Sequence, residues 1–156
     1  MSRIVVGVDG SPGSHAALRW AAEEASRRGA YLVAVHSWDF PYATPLAGLP
    51  AMLPPNELQE AAERLVDDTI TEALGPEPAV KIERVALAGS PAAVLLEHAK
   101  NADLLVVGAR GHGGFVGLLL GSVSHQVVAH ATVPTVVVPI AKDRPPPVAP
   151  DEVGAP

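Results

Sequence analysis

Five short apolar runs recur along the chain, and longer amphipathic stretches lie between them. Residues 4–8 are continuously apolar, which is typical of a strand buried on both faces. Residues 30–37 and 103–107 are predicted as further strands, and Thr135–Val138 as the last. Residues 79–88 alternate between apolar and polar positions, which indicates a strand with one wetter face at a sheet edge. The pattern therefore predicts five strands.

Two of the intervening stretches begin with a serine that precedes a proline. Ser11 with Pro12, and Ser90 with Pro91, combine a capping side chain with a proline at the first helical position. Apolar residues recur at helical spacing after Pro12, and Gly29 ends that pattern. We therefore expect a first helix that ends at Gly29 and a third helix that begins at Ser90.

The second and fourth helices are predicted from other signals. Asn56 and Gln59 have the spacing of a capping box, and the helix that they open extends to Gly75. Its predicted core-facing residues are Leu58, Ala62, Leu65, Thr69 and Ala73. The fourth helix is expected over residues 121–131. Strands that alternate with helices predict an α/β fold in which a parallel sheet is covered on both faces.

Two proline-rich segments fall outside this pattern. Residues 39–55 contain five prolines, so no regular structure is expected there. Residues 142–156 contain five more and almost no large apolar side chain, which predicts a disordered tail. The folded domain is therefore expected to span residues 1–141.

Composition narrows the classes of function. The formal net charge is 11 − 17 = −6, which argues against a general nucleic-acid-binding protein. The absence of cysteine excludes a disulfide, a thiolate nucleophile and a Cys-ligated metal. The apolar run near the N-terminus is too short for a signal peptide, and no segment approaches the roughly 18 apolar residues of a membrane span. We expect a soluble, cytoplasmic protein with no nucleic-acid or membrane partner.

Glycine is concentrated in residues 108–122, GARGHGGFVGLLLGS, called here the glycine stretch. Six of the 14 glycines lie in it, although ordering a glycine costs roughly 0.5–1 kcal/mol more than ordering an alanine. We interpret Gly108 and Gly111 as positions where the backbone approaches a ligand closely. Gly121 then opens a helix whose N–H groups and positive dipole end suit a phosphate.

Polar side chains accompany these glycines. Ser122 and Ser124 offer hydroxyls, and Arg110 and His112 offer side-chain donors. A second loop with unusual chemistry, residues 9–11 (Asp-Gly-Ser), follows the first strand. Ligands of open parallel sheets bind beyond the carboxyl ends of the strands, where the strand order reverses. If the fourth strand lies beside the first, both loops face the same crevice.

The glycine spacing can be written G-x2-G-x9-G-S, with Gly108, Gly111, Gly121 and Ser122. It matches neither the G-x-G-x-x-G of dinucleotide folds nor the P-loop with its Gly-Lys-Ser/Thr. It resembles the ATP-binding signature of the universal stress protein family. The resemblance extends from residue 3 to about residue 140 and includes VVGVDGS, VHS, AGSPAAVLLEHA and HATVPTVVVP. Together, in this order, these segments are specific.

This resemblance implies a flavodoxin-like or Rossmann-like three-layer α/β sandwich with strand order 3-2-1-4-5. By similarity, Asp9 would hold the adenosine part of ATP, and the backbone at Val8 and Ser37 would frame the adenine. The glycine stretch would receive the ribose and triphosphate, with Mg²⁺ bridging phosphate oxygens. The candidate ATP-binding residues are Val8, Asp9, Gly10, Ser11, Ser37, Gly108, Ala109, Arg110, Gly111, His112, Gly121, Ser122, Val123 and Ser124.

The resemblance also implies assembly. Two copies of the chain would form a homodimer through the last strand, Thr135–Val138. Dimerisation would supply the second copy of the domain that two-domain versions carry in one chain. An ATP-binding stress-response or signalling protein of this kind would act on a downstream protein partner, which the sequence does not identify.

Two other functions fit parts of the sequence. An ATP-pyrophosphatase-like adenylating enzyme carries a Ser/Gly-rich phosphate loop after its first strand, and residues 9–14, DGSPGS, faintly resemble one. An interaction module with a vestigial nucleotide site is the other alternative. No general base and no hydrolase triad is evident, so no catalytic residue is assigned and at most slow ATP hydrolysis is expected.

Single residues also have simpler interpretations. Asp9 is also typical of a residue that only caps a helix. The glycine stretch is also typical of a surface loop with no ligand. His36 is predicted to be packed or hydrogen-bonded. His125 and His130 are five positions apart and miss the i, i+4 spacing of a helical metal pair, so no metal site made by side chains is expected.

Overall fold

The computed structural model describes residues 1–39, 54–112 and 120–140. Most of the proline-rich segment 39–55, the centre of the glycine stretch and the predicted tail lie outside these residues. The strands are β1 (Arg3–Gly7), β2 (Tyr31–Trp38), β3 (Ile82–Ala88), β4 (Leu104–Gly108) and β5 (Thr135–Val138). The helices are α1 (Pro12–Arg28), α2 (Pro55–Leu74), α3 (Pro91–Ala99) and α4 (Ser122–His130). None of these helices is long and apolar enough to cross a membrane.

The five strands form one parallel sheet in the order β3-β2-β1-β4-β5. This confirms the predicted fold class and strand order. β3 and β5 are the two edges, and the exposed positions along β3 agree with its alternating sequence. The strand order reverses at β1, where Val6 is in register with Val106 of β4. The carboxyl ends of β1 and β4 therefore lie side by side. This is the arrangement in which the loops that follow these two strands face the same crevice.

Alternate residues of the central strands pack into two separate cores. Val6 faces the core that contains α1 and α2, whereas Val5 faces the core that contains α3 and part of α4. Leu104 of β4 packs in the same core as Val6, and Leu105 packs in the same core as Val5. All four of these side chains are at most 4% exposed. Continuous apolar runs in β1 and β4 thus reflect burial on both faces, and the result is a three-layer α/β sandwich.

The start and end of α1 follow the predicted local signals. Ser11 is the N-cap, and its Oγ accepts a hydrogen bond from the Ser14 N–H at 3.2 Å. Pro12 is the first helical residue, and Gly29 ends the helix with φ of 62°. α3 also begins at proline, but Ser90 makes no side-chain capping hydrogen bond there, so that part of the prediction is wrong.

The predicted capping box of α2 is also wrong. The helix begins at Pro55, and no side-chain hydrogen bond caps it in the described residues. Gln59 instead accepts a hydrogen bond from Trp38 Nε1 at 2.8 Å and donates one to the Ala86 carbonyl at 2.9 Å. These two tertiary hydrogen bonds take the place of the capping hydrogen bond that was predicted for Gln59. The fully buried residues of α2 are Ala62, Val66, Thr69 and Ile70, so the core-facing side is rotated from the predicted one.

Candidate functional site

A cavity of about 840 Å³ opens at the carboxyl ends of β1, β2 and β4. Its volume is in the range of cofactor sites. The predicted site residues that line it are Val8, Asp9, Ser11, Ser37, Gly108, Arg110, Gly111, His112, Gly121, Ser122, Val123 and Ser124. Gly10 and Ala109 lie beside the cavity without lining it. The fold thus brings the β1–α1 loop and both described ends of the glycine stretch to one place.

Asp9 is held by the first turn of α1. Its Oδ1 accepts hydrogen bonds from the Ser11 backbone N–H at 2.9 Å and from the Ser11 hydroxyl. Burial raises the pKa of Asp9, but the hydrogen bonds from the Ser11 side chain and backbone outweigh it, and the charge of His112 adds to their effect. The net pKa is below its usual value, so the carboxyl is ionised at neutral pH. Asp9 therefore supports the cap and also presents a negative charge at the cavity.

Two histidines hold the loop that follows β1. His36 Nδ1 lies 2.8 Å from the Val8 carbonyl oxygen, and His112 Nε2 lies 3.0 Å from the Asp9 carbonyl oxygen. Because a carbonyl oxygen only accepts, each of these ring nitrogens carries the proton. His36 is hydrogen-bonded, as predicted. The Val8 N–H already donates to the Val35 carbonyl, so Val8 frames the cavity while its backbone groups have protein partners.

The structure gives Gly108 a role in packing that the sequence did not indicate. A Cβ atom on Gly108 would lie 2.7 Å from the carbonyl carbon of Gly13, in the first turn of α1. A Cβ atom on Gly13 would in turn collide with the Arg110 carbonyl oxygen. These two glycines let α1 begin against the end of β4. Gly13 had no distinguishing sequence signal, because its partners are distant in the chain.

The other two described glycines of the motif differ from each other. A Cβ atom on Gly111 would lie 2.5 Å from Asp9 Oδ2, and Gly111 does not have the positive φ that would demand glycine. A Cβ atom on Gly121 would have only ordinary contacts, the nearest being the Arg110 Cα at 3.4 Å. Gly121 is therefore the glycine whose missing side chain the described protein contacts do not explain.

The start of α4 is fixed to the end of β4 through Ala109. Its carbonyl oxygen accepts hydrogen bonds from the Gly121 N–H and from the Ser124 hydroxyl, each at 2.7 Å. Ser124 is buried, and its hydroxyl donates to the carbonyls of Ala109 and Gly121, so in this structure the proton is held by the protein. No side chain of the described residues caps α4. Its first N–H groups, beginning at Ser122, point toward the cavity end of the helix.

Several lining residues were not assigned from the sequence. They are Gly7, Ser14, Val35, His36, Pro91, Leu95, Val107, Leu120, His125 and Gln126. Val35, Leu95 and Val107 were interpreted only as parts of core elements, and they form an apolar end of the cavity. The period-two pattern of β2 could have placed Val35 and Ser37 on one face. The helix that covers that face could be identified only from the topology of the fold.

Comparison with known proteins agrees with this architecture. The family model described as the universal stress protein family matches residues 1–139. A universal stress protein of Mycolicibacterium smegmatis is 43% identical over 136 residues, which cover 86% of this chain and 45% of that protein. The chain thus spans about half the length of the curated relatives that it matches.

Solved structures give the same result. A universal stress protein in complex with cAMP is 30% identical, with a TM-score of 0.61 and coverage of 88% of this chain and 95% of that one. The universal stress protein from Archaeoglobus fulgidus in complex with dAMP is 25% identical, with a TM-score of 0.61 and coverage of 88% and 98%. With its sheet order, its cavity and a family match over nearly its whole length, the chain belongs to the universal stress protein family.

Proposed function

We propose that this protein is a cytoplasmic ATP-binding protein of stress response or signalling, and that its ATP site is the cavity at the ends of β1, β2 and β4. One observation carries the proposal: Asp9 of the β1–α1 loop lines the same cavity as Gly111 and Gly121, which lie at the two described ends of the glycine stretch. The cAMP and dAMP complexes of relatives support an adenine nucleotide as the ligand class.

The polar end of the cavity suits the triphosphate. The uncapped N-terminus of α4 offers backbone N–H groups at Ser122 and Val123 and the positive end of the helix dipole. Arg110 lines the same space and can donate to phosphate oxygens, and the charged form of His112 can do so from Nδ1, since its Nε2 proton lies on the Asp9 carbonyl. In the described residues no group of three acidic, histidine or cysteine side chains could hold a metal. Mg²⁺ would therefore take its oxygen ligands from the phosphates and water, which is usual for this ion.

The start of α1 is the place where an adenylating enzyme would bind phosphate, and here it is poorly suited to that role. The ionised Asp9 carboxylate already accepts the Ser11 N–H there, and Gly13 is packed against the Arg110 carbonyl. A phosphate in this position would meet a like charge and a closed backbone. An adenylating enzyme would need its phosphate loop here, so this arrangement favours ATP binding at α4 over that alternative.

The exposed edge of β5 supports the proposed homodimer. The carbonyls of Pro134 and Val138 accept hydrogen bonds from β4, so in a parallel pair the backbone groups of Thr135 and Val137 point away from β4. An edge with unpaired groups invites another strand.

Calorimetric titration of the purified chain tests the proposal. We expect saturable binding of ATP that strengthens with Mg²⁺, and the chain to leave ATP intact or convert it slowly to ADP. Release of AMP and pyrophosphate would instead support the adenylating enzyme. Absence of binding to ATP, AMP and cAMP would overturn the proposal and support a vestigial site. Mass spectrometry of nucleotide released from freshly purified protein provides an independent check.

A further inference from the structure

The hydroxyl of Ser37, at the end of β2, is buried and has no hydrogen-bond partner within the part of the chain that the structure describes. The Oγ atom of Ser37 has almost no accessible surface, and no described residue is hydrogen-bonded to it. Leaving a buried hydroxyl unpaired is unfavourable, and such groups in native proteins usually have a functional explanation. Ser37 also lines the cavity, so rotation of its side chain about the Cα–Cβ bond would bring the hydroxyl to a molecule in the cavity, which would supply the missing partner.

Several apolar residues line the cavity on the face of β2 that carries Ser37. Val35, two residues earlier on β2, lies on the same face of the sheet and packs in one core with Leu95 and Val107. These side chains have no hydrogen-bonding atoms. Pro91, which also lines the cavity, has no backbone N–H to offer. The Ser37 hydroxyl is thus on the same face of the sheet as these apolar side chains.

The two ends of the cavity define how a nucleotide would lie in it. Its phosphates would occupy the polar end at Ser122 and Val123, and its base would then fall among Val35, Leu95 and Val107. A purine ring buries well in apolar surroundings, but the polar groups on its edge still require partners. Ser37 is placed to provide one, since a hydroxyl both donates and accepts.

We propose that the Ser37 hydroxyl reads the base of the bound nucleotide by hydrogen bonding to the edge of the purine that carries the 6-amino group. This inference rests on the proposed ATP site. It assigns a specificity role to the Ser37 side chain, beyond the framing of adenine by its backbone. The hydroxyl accepts from the amine and retains its own proton for an adjacent ring nitrogen.

The test combines two ligands with two proteins. ATP is compared with purine riboside triphosphate, which lacks only the 6-amino group, and the parent chain with Ser37→Ala. We expect the parent to bind ATP about 2–10-fold more tightly than the analogue, as one hydrogen bond permits. Ser37→Ala should lose that preference, because it removes two hydrogen bonds from bound ATP but only the one to the ring nitrogen from the bound analogue, so it weakens ATP binding more.

The melting temperature of the ligand-free protein shows whether Ser37 recognises the base or only supports the fold. If the hydroxyl is unpaired before ligand binds, Ser37→Ala should melt at the same temperature as the parent or higher, and gain a smaller rise on adding ATP. An equal loss of affinity for both ligands, unchanged ATP binding, or a lower ligand-free melting temperature would overturn the inference while the ATP site stands. If the parent binds neither ligand, the proposed function fails and this inference fails with it.

Discussion

Gly13 and Gly108 pack backbone against backbone, so that a Cβ atom on Gly108 would lie 2.7 Å from the carbonyl oxygen of Gly13. This contact joins the first turn of α1 to the end of β4 and brings the Asp9 loop beside the glycine stretch. The glycines of the motif therefore serve different purposes. Gly108 is required by packing, whereas Gly121 has room for a Cβ atom.

This difference predicts that the same substitution destabilises the protein at Gly108 much more than at Gly121. Gly108→Ala should reduce the free energy of unfolding by about 1–3 kcal/mol, because the added methyl group overpacks a backbone contact that cannot yield. Gly121→Ala, the matched control, should change it by much less. Urea unfolding of the ligand-free proteins measures both. Equal stabilities would show that α1 can move away from β4 at little cost.

Gly121 provides a separate test of phosphate binding. Gly121→Glu adds a negative charge at the start of α4, where an acidic side chain is favourable for the helix itself. Against a phosphate at about 4 Å and an effective dielectric constant of about 20, the repulsion is on the order of 4 kcal/mol, or roughly a thousandfold in affinity. The variant should melt like the parent without ligand and lose the rise in melting temperature that ATP causes.

Gly121→Gln is the control for size. It has nearly the same volume as the glutamate variant but no charge, so it should retain more ATP affinity. If the glutamate variant keeps the full ATP-induced rise in melting temperature, the phosphates do not lie at α4. If the two variants lose affinity equally, the added side chain blocks the site by its volume and the electrostatic argument is wrong.

Asp9 is expected to affect both binding and stability. Asp9→Ala should weaken ATP binding by about 1–3 kcal/mol, the range for a hydrogen bond to a charged group. Loss of the carboxylate also leaves the Ser11 N–H without its acceptor. An additional loss of stability of about 1–3 kcal/mol is therefore expected. Calorimetry measures the change in ATP affinity, and urea unfolding measures the change in stability. Unchanged ATP binding would show that Asp9 serves only to support the cap of α1.

The lowered pKa of Asp9 predicts how its contribution varies with pH. Because the folded-state pKa lies below the unfolded value of about 3.9, the ionised carboxylate stabilises the fold above that pH. The contribution is lost as the pH falls below about 4 and through the folded-state pKa. The stability difference between the parent and Asp9→Asn should be constant from pH 7 to 5 and shrink toward pH 3. A difference that persists undiminished at pH 3 would contradict this.

The sequence predicted those features that depend on local or periodic signals. Ser11, Pro12 and Gly29 delimit α1 because capping and positive φ are properties of a few neighbouring residues. The strands and the position of the cavity followed from apolar runs and from the family resemblance. The misassignments arose where tertiary contacts decided the outcome. Gln59 bonds to Trp38 and the Ala86 carbonyl in place of a helix cap.

The same reason explains what was missed in the candidate site. The sequence indicated only a ligand contact as the reason for Gly108, because its packing partner, Gly13, is far away in the chain. Ser124 looked like a ligand donor, and only the three-dimensional arrangement shows its hydroxyl on the Ala109 carbonyl. The unpaired hydroxyl of Ser37 could not be inferred from sequence, since it depends on which side chains surround it.

The last prediction concerns the proposed homodimer. Val137→Pro removes a backbone N–H that points away from β4, so the sheet keeps its hydrogen bonds while a partner strand loses a donor. Sedimentation equilibrium should show a dimer for the parent and a shift toward monomer for this variant. Arg84→Pro is the matched control on the opposite edge: Lys81 accepts from β2, so by alternation the Arg84 N–H also points outward. The control should remain dimeric. A monomeric parent, or a Val137→Pro dimer of parental affinity, would show that β5 is not the interface, and loss of the dimer in both variants would point to a general effect of edge prolines on the fold.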